Sequence, residues 1–567
     1  MARGRREGNG GMAGGGEMAW SRAWAAVEKA RRERAAAAGG EAGSAEGGGC
    51  TLMEGLGVAA STLQAASREI LEGTGEPDAA GPLALLDCVL GSFRVEGEEW
   101  GEGQRHLEAG VEGLEAWRKA NGPAEFSAPV QAALQSALND LGMLWCNRDD
   151  DGRAEACLRR AEELYSERKA GKVDAAARGD ARSDKDVESS YTTTVFLLAQ
   201  VWGKLGDPER SARYCGLTLG RQLKRPGSYS VSEWGQNATQ LAGYYISQGQ
   251  FLVAEHLLNA ASAVTCSRPV GSEGKEVCPD GDEEAADVRA NICIGWAKFH
   301  LSRLAGGDAS TTAVEEEVLG GVLAFEALKL PAPSSLRGPC ACSSYDEARE
   351  AFNASARNFR MALSHYKLDG WVTEHCTILI DVSNLYKQLV PFESDLHRKC
   401  VLHRHRVKAL EPLVAALNAE AFGDLVHSLH LELAETYRAI LELKLAGGRP
   451  PRKIQAAGGK AADHYRSFLR SFSSVGDPQE KHEDGVETHV LLACCNLSRV
   501  QQKVAASGGA SLEKSLLQES LGMLEYVTAY WGVHPGVLDD GRLAAEQPLI
   551  EEMRDLLRAK LQLLASR

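Results

Sequence analysis

The stretch QSALNDLGMLWCNRDDDGRAEACLRRA, residues 135–161, decides the fold. It fits a template for a pair of helices that repeats about every 34 residues. In that template, small residues at positions 8, 20 and 27 let the two helices approach, and large residues at positions 7, 11 and 24 fill the space between them. With position 1 at Gln135, Gly142, Ala154 and Ala161 are the small residues. The pattern therefore predicts a helical hairpin.

Two further stretches fit the same template, with position 1 at Thr192 and at Gly235. Positions 7, 8 and 11 read Leu-Ala-Trp in the second repeat and Leu-Ala-Tyr in the third. This is the tetratricopeptide (TPR) pattern. One such hairpin does not bury its own apolar face, so neighbouring hairpins must stack. We predict an all-α, TPR-like α-solenoid of stacked antiparallel hairpins, whose concave surface suits protein recognition better than catalysis.

The composition excludes several classes of function. The 567 residues carry a formal net charge of -15, which argues against a nucleic-acid binder because that function needs a basic surface. No run of 18 apolar residues occurs, so we expect no membrane insertion. The N-terminus has no apolar segment typical of a secretory signal, and the 14 cysteines form no regular framework. These features indicate a cytoplasmic protein with reduced thiols.

Changes in composition along the chain suggest two halves joined by a linker. Glycine and alanine dominate the N-terminus, which we expect to be disordered apart from a short helix across residues 20–34. Polar inserts separate the repeats and predict long loops, and the stretch PAPSSLRGPCACSS is the best candidate for a break. The predicted organisation is a tail at 1–50, an N-terminal TPR-like half at 51–330, a linker at 331–344 and a C-terminal helical half at 345–567.

Residues 368–413, LDGWVTEHCTILIDVSNLYKQLVPFESDLHRKCVLHRHRVKALEPL, carry a resemblance to a known family. Two shorter stretches carry it as well: residues 198–201 with 214–215, 218–219 and 221–223, and residues 233–234 with 237–239. In this order the three stretches closely resemble the KIF-binding protein (kinesin-binding protein) family. The matching residues of the longest stretch are Asp369, Gly370, Val372, Thr373, His375, Asp381, Leu385, Phe392, Glu393, Asp395, Arg398, Cys400, His403, Arg406, Leu410, Glu411, Pro412 and Leu413.

The resemblance implies a protein that grips kinesin motor domains and holds them off the microtubule. It also implies that the chain regulates microtubule-based transport or cytoskeletal organisation, that it is not an enzyme and that it is cytoskeleton-associated. We expect a monomer without cofactor or metal. The motor's tubulin-facing surface is basic, so an acidic loop could compete for it; Asp280, Asp282, Glu283, Glu284 and Asp287 are candidates, although an ordinary solvated loop explains them too.

Positions 2, 5, 9, 12 and 13 of the first helix of a TPR hairpin face the concave groove, and they predict the contact residues. In the first repeat they include Ser136, Asn139 and Met143. Gln222 follows the second helix of its repeat and is placed at the same rim. The predicted partner-binding residues are Gln200, Gln222, Thr239, Phe196, Lys204 and Gln236.

Two other functions stay open at this stage. A generic TPR scaffold or co-chaperone-type adaptor is the main alternative, although the Lys and Asn that capture a C-terminal carboxylate are replaced by Asn139 and Met143. An enzyme would need titratable groups that converge in one pocket, and the sequence brings none together. The basic run 397–408 has histidines and a cysteine, but their spacing does not suit a tetrahedral metal site. We expect its arginines to pair with carboxylates.

Overall fold

The computed structural model describes residues 13–38, 48–73, 76–122, 126–170, 181–265, 283–306, 319, 321, 323–330, 342–472, 475–483, 485–507 and 510–565. Over these residues the regular structure is helical, with no strand, which confirms the predicted all-α class. The chain divides into two compact units. The first comprises residues 1–230 with 317–327, and the second comprises residues 231–316 with 328–567.

The first unit stacks four helical hairpins. Consecutive helices pair, and the first helix of each hairpin also packs on the first helix of the next, as TPR stacking requires. Its helices are α1 (Ala13–Ala38), α2 (Gly48–Gly73), α3 (Glu76–Glu96), α4 (Trp100–Asn121), α5 (Ala128–Asn147), α6 (Asp151–Lys169), α7 (Ala181–Lys204) and α8 (Pro208–Leu223).

The second unit continues the same pattern of hairpins. Its helices are α9 (Val231–Ser247), α10 (Phe251–Thr265), α11 (Glu283–Ala305), α12 (Tyr345–His365), α13 (Val372–Leu389), α14 (Leu396–Ala416), α15 (Gly423–Ala446), α16 (Pro451–Arg470), α17 (Glu487–Ala505), α18 (Ala510–Val533) and α19 (Gly541–Ala565). The last helix buries Leu543, Ile550 and Leu557 against its neighbours. A separate row on this helix exposes three leucines seven residues apart: Leu549, Leu556 and Leu563.

The small template residues lie where the two helices of a hairpin cross. Ala154 and Ala161 of the first repeat are buried, as are Ala254 and Ala261 of the third. In the second repeat, Ser211 Oγ donates a hydrogen bond of 2.7 Å to the carbonyl oxygen of Ala199, so template positions 8 and 20 are in contact. These contacts confirm the register of the three predicted hairpins.

A common turn joins the two helices of several hairpins. Asp149, Gly206 and Gly249, all at template position 15, have φ of 58°, 78° and 70°. The next backbone N–H then donates to a carbonyl five residues earlier, which satisfies an end of the first helix. Glu98 adopts the same conformation with φ of 60°, and this places position 1 of a fourth repeat, in α3–α4, at Ala84.

The N-terminal segment differs from the predicted tail. Residues 1–12 and 39–47 lie outside the described residues, but residues 13–38 form α1, which extends beyond the short helix expected at 20–34. Ala19, Ala23 and Val27 of this helix are fully buried in the core of the first unit. The glycine- and alanine-rich composition suggested disorder because it lacks large apolar residues, whereas alanines at helical spacing suffice for close helix packing.

The predicted linker at 331–344 does not separate the two compact units. Residues 331–341 lie outside the described residues, yet the helices on either side of this stretch pack together in one unit. Ser355 Oγ of α12 donates to the carbonyl oxygen of Ala297 in α11, at 2.9 Å, and Tyr366 Oη donates to Asn291 Oδ1, at 3.0 Å. The Pro- and Gly-rich stretch therefore connects two helices of the same unit, α11 and α12. The unit boundary lies at residue 230.

Candidate partner-binding surface

Helix α7 presents three of the predicted contact residues on one solvent-exposed face. Phe196, Gln200 and Lys204 are exposed at intervals of four residues, so they form one line along the helix. Leu198 and Val201, on the opposite face, are buried. The Phe196 side chain is 42% exposed. Large aromatic side chains are more often buried in a folded protein, so this one is available to a partner.

Lys204 has a second role at the end of this line. Its Nζ donates to the carbonyl oxygen of Cys146 at the end of α5, at 2.8 Å, and lies 3.5 Å from Asp149. A cation beside the last carbonyl groups of a helix stabilises that terminus. Lys204 therefore joins two neighbouring hairpins as well as facing solvent.

Gln222 lines a small pocket beside α7. The pocket has a volume of about 170 Å³, and the Gln222 Oε1 is buried with no hydrogen-bond partner among the described residues. Next to it, the Arg221 guanidinium lies 4.4 Å from the centre of the Tyr191 ring and donates to Glu188 Oε2 at 2.7 Å. These contacts of Arg221 attach the end of α8 to α7. The other residues of the pocket are Ser189, Thr192, Thr193, Arg225 and Ser228.

In the second unit, the two predicted contact residues Gln236 and Thr239 differ in exposure. Gln236 is exposed on α9, as predicted. Thr239 is only 9% exposed, and its hydroxyl donates to the carbonyl oxygen of Gly235 at 2.8 Å. Its methyl group packs toward Gly295 of α11, where there is no room for a side chain. The prediction of Thr239 as a surface contact is therefore wrong, because the next hairpin covers this position.

Asn139, a groove position of the first repeat, is also buried. Its Nδ2 donates to the carbonyl oxygen of Ser190 at 2.9 Å, and its Oδ1 accepts from Thr194 Oγ1 at 2.8 Å. The amide thus joins α5 to α7 and does not face solvent. This contact removes the position that a co-chaperone-type carboxylate clamp would use.

A larger groove lies on the first unit, and the three predicted repeats account for only part of its lining. It has a volume of about 710 Å³ and lies between α1, α3 and α5. Ser136 and Met143 line it, as their template positions predict. A repeat starting at Ala84 would have placed Ser92 and Glu96 at groove positions 9 and 13. The full lining is Arg31, Arg34, Cys88, Val89, Ser92, Phe93, Val95, Glu96, Glu98, Trp100, Ala133, Ser136, Asp140 and Met143.

Asp140 is one of three acidic residues that line this groove, with Glu96 and Glu98. Ser92 Oγ donates a hydrogen bond to its carboxylate. Burial and the nearby Glu96 charge raise the pKa of Asp140 to about 6, although the Ser92 hydroxyl acts in the opposite direction. At the rim, Arg34 donates to both carboxylate oxygens of Glu96 at 2.7 Å.

Arg406 and His403 of the basic run 397–408 belong to a buried network. Arg406 Nη2 donates to Glu432 Oε1 at 2.6 Å and Nε donates to Ser383 Oγ at 3.1 Å. Arg406 Nη1 also donates to His403 Nδ1 at 2.9 Å. The expectation that arginines of this run pair with carboxylates is confirmed for Arg406.

The acidic loop is only partly described. Asp280 and Asp282 lie outside the described residues, and Glu284 is exposed near the start of α11. Asp287 accepts a hydrogen bond from His365 Nε2 at 2.5 Å, so it connects α11 to α12.

None of the helices in the part of the chain that the structure describes is long and apolar enough to span a membrane.

Comparison with known proteins identifies the family. The family model described as "KIF-1 binding protein C terminal" matches residues 232–564, more than half of the chain. The chain belongs to the KIF-binding protein family. The start of this match at residue 232 also coincides with the start of the second compact unit at 231.

Relatives from animals extend the similarity over most of the chain. The KIF-binding protein of Gallus gallus is 28% identical over 538 residues, covering 85% of this chain and 88% of the relative. The Homo sapiens protein is 26% identical, covering 85% and 84%. A solved structure of kinesin binding protein (KBP) superposes with a TM-score of 0.60 at 24% identity, covering 90% of this chain and 92% of that one. The structural similarity supports the helical-repeat fold.

Proposed function

We propose that this chain binds the motor domains of kinesins, covers their microtubule-binding surface and so controls microtubule-based transport. The observation that carries the proposal is the family match, because relatives named KIF-binding protein align with this chain over most of both lengths. The proposal describes a monomeric binding protein of the cytoplasm, associated with the cytoskeleton, rather than an enzyme.

The geometry of the helical repeats supports this role physically. Stacked hairpins present a row of exposed side chains that is rigid before binding, which lowers the entropic cost of recognition. The net charge of -15 favours approach to a basic motor surface and mainly accelerates association. The proposed contact residues are Phe196, Gln200, Lys204, Gln222 and Gln236, with Thr239 excluded by its burial.

Microtubule co-sedimentation of a panel of purified kinesin motor domains tests the proposal. Each motor is pelleted with microtubules in the absence and presence of the full chain. We expect a subset of motors to move to the supernatant and to co-elute with the chain on size exclusion. If every motor stays in the pellet and none co-elutes, motor sequestration is rejected.

A pair of double variants locates the contact surface. Phe196→Asp with Gln200→Lys alters the exposed face of α7, and Glu209→Lys with Arg213→Asp alters the exposed side of α8. Both double variants leave the net charge of the chain unchanged. We expect the α7 variant to weaken motor binding at least ten-fold, because an interface loses most of its affinity when a central aromatic group is removed. The α8 variant should bind like the wild type. Equal binding by both variants would contradict the assignment of α7.

A further inference from the structure

The groove of the first unit contains a carboxylate without a cationic partner. Asp140 is half-buried on α5, and its hydrogen bond comes from the neutral hydroxyl of Ser92 on α3. Among the described residues, no basic side chain forms an ion pair with it. The raised pKa, about 6, reflects this environment, since burial and Glu96 both disfavour the negative charge.

The arginines at the rim of the groove do not neutralise Asp140. Arg34 forms an ion pair of 2.7 Å with Glu96. Arg31 lies on the exposed side of α1. An anionic ligand that entered the groove would therefore meet the unpaired carboxylate and be repelled, whereas a cation would relieve its unfavourable burial.

The apolar part of the groove suits the stem of a long basic side chain. Val89 and Met143 line it beside Asp140. Trp100 also lines it and is 43% exposed, so its indole face is available for stacking with a guanidinium or ammonium group. Lysine and arginine both bury their methylene stems against apolar surfaces while their charged ends reach a polar group.

We infer that this groove is a binding site for an arginine or lysine side chain of a partner polypeptide, with Asp140 receiving the charge, Ser92 orienting the carboxylate and Trp100 covering the cationic group. The site lies within one unit and is separate from the exposed face of α7. The inference goes beyond the proposed function, because the groove can be tested with peptides and without any motor domain.

Two labelled peptides test the site directly. One contains three arginines spaced by alanine and serine, and its twin carries citrulline, a neutral group of nearly the same shape, at each arginine. Fluorescence anisotropy at pH 7.5, where Asp140 is ionised, measures the binding of each to the full chain. We expect the arginine peptide to bind at least ten-fold more tightly than the citrulline peptide.

Variants then assign the binding to the groove. Asp140→Asn should weaken binding of the arginine peptide about ten-fold, as expected for loss of a charge-assisted contact. Asp186→Asn is the matched control, because Asp186 is an exposed aspartate on α7 of the same unit. Trp100→Ala, a change at an exposed position, should weaken binding several-fold and tests the groove with a second residue.

The outcomes separate the site from a general attraction to an acidic protein. If Asp140→Asn and Asp186→Asn reduce binding equally, or neither reduces it, the inference is overturned. A circular dichroism melt confirms that each variant is folded. Motor co-sedimentation with Asp140→Asn is read separately: loss of peptide binding with intact motor binding supports the groove and leaves motor sequestration to other residues.

Discussion

Arg406 is a charged side chain whose environment explains much of the longest family-matching stretch. It is only 2% exposed and is surrounded by Glu432, Ser383 and His403 from α15, α13 and α14. Each of its three nitrogens has a partner, so the guanidinium joins three consecutive helices. In this stretch, residues that identify the family thus act through the packing of the second unit.

Removing this cation should destabilise the second unit strongly. Arg406→Met keeps the length of the side chain but leaves the Glu432 carboxylate without its partner, a change that costs about 3–5 kcal/mol in buried pairs. Arg398→Met is the control on the same helix, since Arg398 is exposed and lies 3.8 Å from Glu393. It should change stability by less than about 0.5 kcal/mol. Urea unfolding of both variants checks this, and equal midpoints would contradict the network's role.

Two neighbouring positions of α9 should respond in opposite ways to the same charge. Thr239→Arg places a long cation where the methyl group now packs toward Gly295, so we expect a lower melting temperature. Gln236→Arg adds that charge at an exposed position and should leave the melting temperature within one or two degrees of wild type. Differential scanning fluorimetry measures both. An unchanged melt for Thr239→Arg would show that Thr239 is accessible after all.

The sequence predicted which apolar residues of each hairpin are buried, but it did not predict which polar residues are buried as well. Leu141, Leu198 and Leu241 are buried as the template predicts. Asn139 and Thr239 are buried although the template places them in the groove, because their neighbours belong to the following hairpin. A template for one hairpin contains no information on the distance to the next, which decides whether a polar side chain faces water.

At the scale of the element, glycines of both α3 and α4 allow the two helices of the fourth repeat to approach closely. Gly91, Gly103 and Gly110 stand at template positions 8, 20 and 27 when the repeat starts at Ala84. A Cβ atom at Gly110 would lie 2.6 Å from the backbone nitrogen of Cys88. Three glycines in place of the usual alanines conceal this repeat in the sequence.

Two glycine-to-alanine changes in α4 should therefore have opposite signs. Gly110→Ala forces the α3 backbone to move and should cost about 1–3 kcal/mol. Gly101→Ala meets nothing within 4 Å and should add about 0.4–1 kcal/mol by restricting the unfolded chain. Thermal melts followed by circular dichroism compare the two. If both variants melt alike, the close contact between α3 and α4 is not correct.

At the scale of the whole molecule, the division into units could not be read from composition. The Pro- and Gly-rich stretch at 331–344 is a pronounced change in the composition of the chain. Such a connection marks a unit boundary only if the helices around it do not pack together. Here α11 and α12 share buried Ala297, Leu301 and Phe359. The boundary at residue 230 follows a short polar segment that resembles the other loops between hairpins.

Two fragments distinguish the observed boundary from the one predicted by composition. We expect residues 231–567 to fold alone and to melt cooperatively, because this fragment retains the core that α11 shares with α12 and α13. Residues 345–567 should melt at a lower temperature and bind a hydrophobic dye, since Phe359 and Leu385 lose the α11 part of their core. Equal melts of the two fragments would favour the boundary at 331–344.

Three histidines, His403 buried and His300 and His464 half-buried, should make the fold sensitive to mild acid. Burial lowers the pKa of His300, His403 and His464 to about 4, compared with about 6.5 in an unfolded chain. Below pH 6.5 the unfolded chain therefore binds protons that the folded chain does not, and stability falls until pH 4. Asp140, whose pKa is raised to about 6, opposes this effect below pH 6.

A series of melts between pH 7.5 and 5 checks this balance. We expect the melting temperature to fall as the pH decreases, and His464→Phe to reduce the slope. His489→Gln, at an exposed ring, is the control and should leave the slope unchanged. If the melting temperature of the wild type stays constant and His464→Phe does not change the slope, the pH dependence assigned to these histidines is wrong.

The attachment of α19 has a mechanical consequence. This helix lies at one end of its stack and is held by Leu543, Ile550 and Leu557 and by peripheral ion pairs such as Arg558–Glu525 and Lys560–Glu513. A load applied along the chain at this end would act on that single helix first, and not on the whole unit at once. Under tension, α19 should detach at a lower force than the paired hairpins before it. Its three exposed leucines would stay accessible throughout.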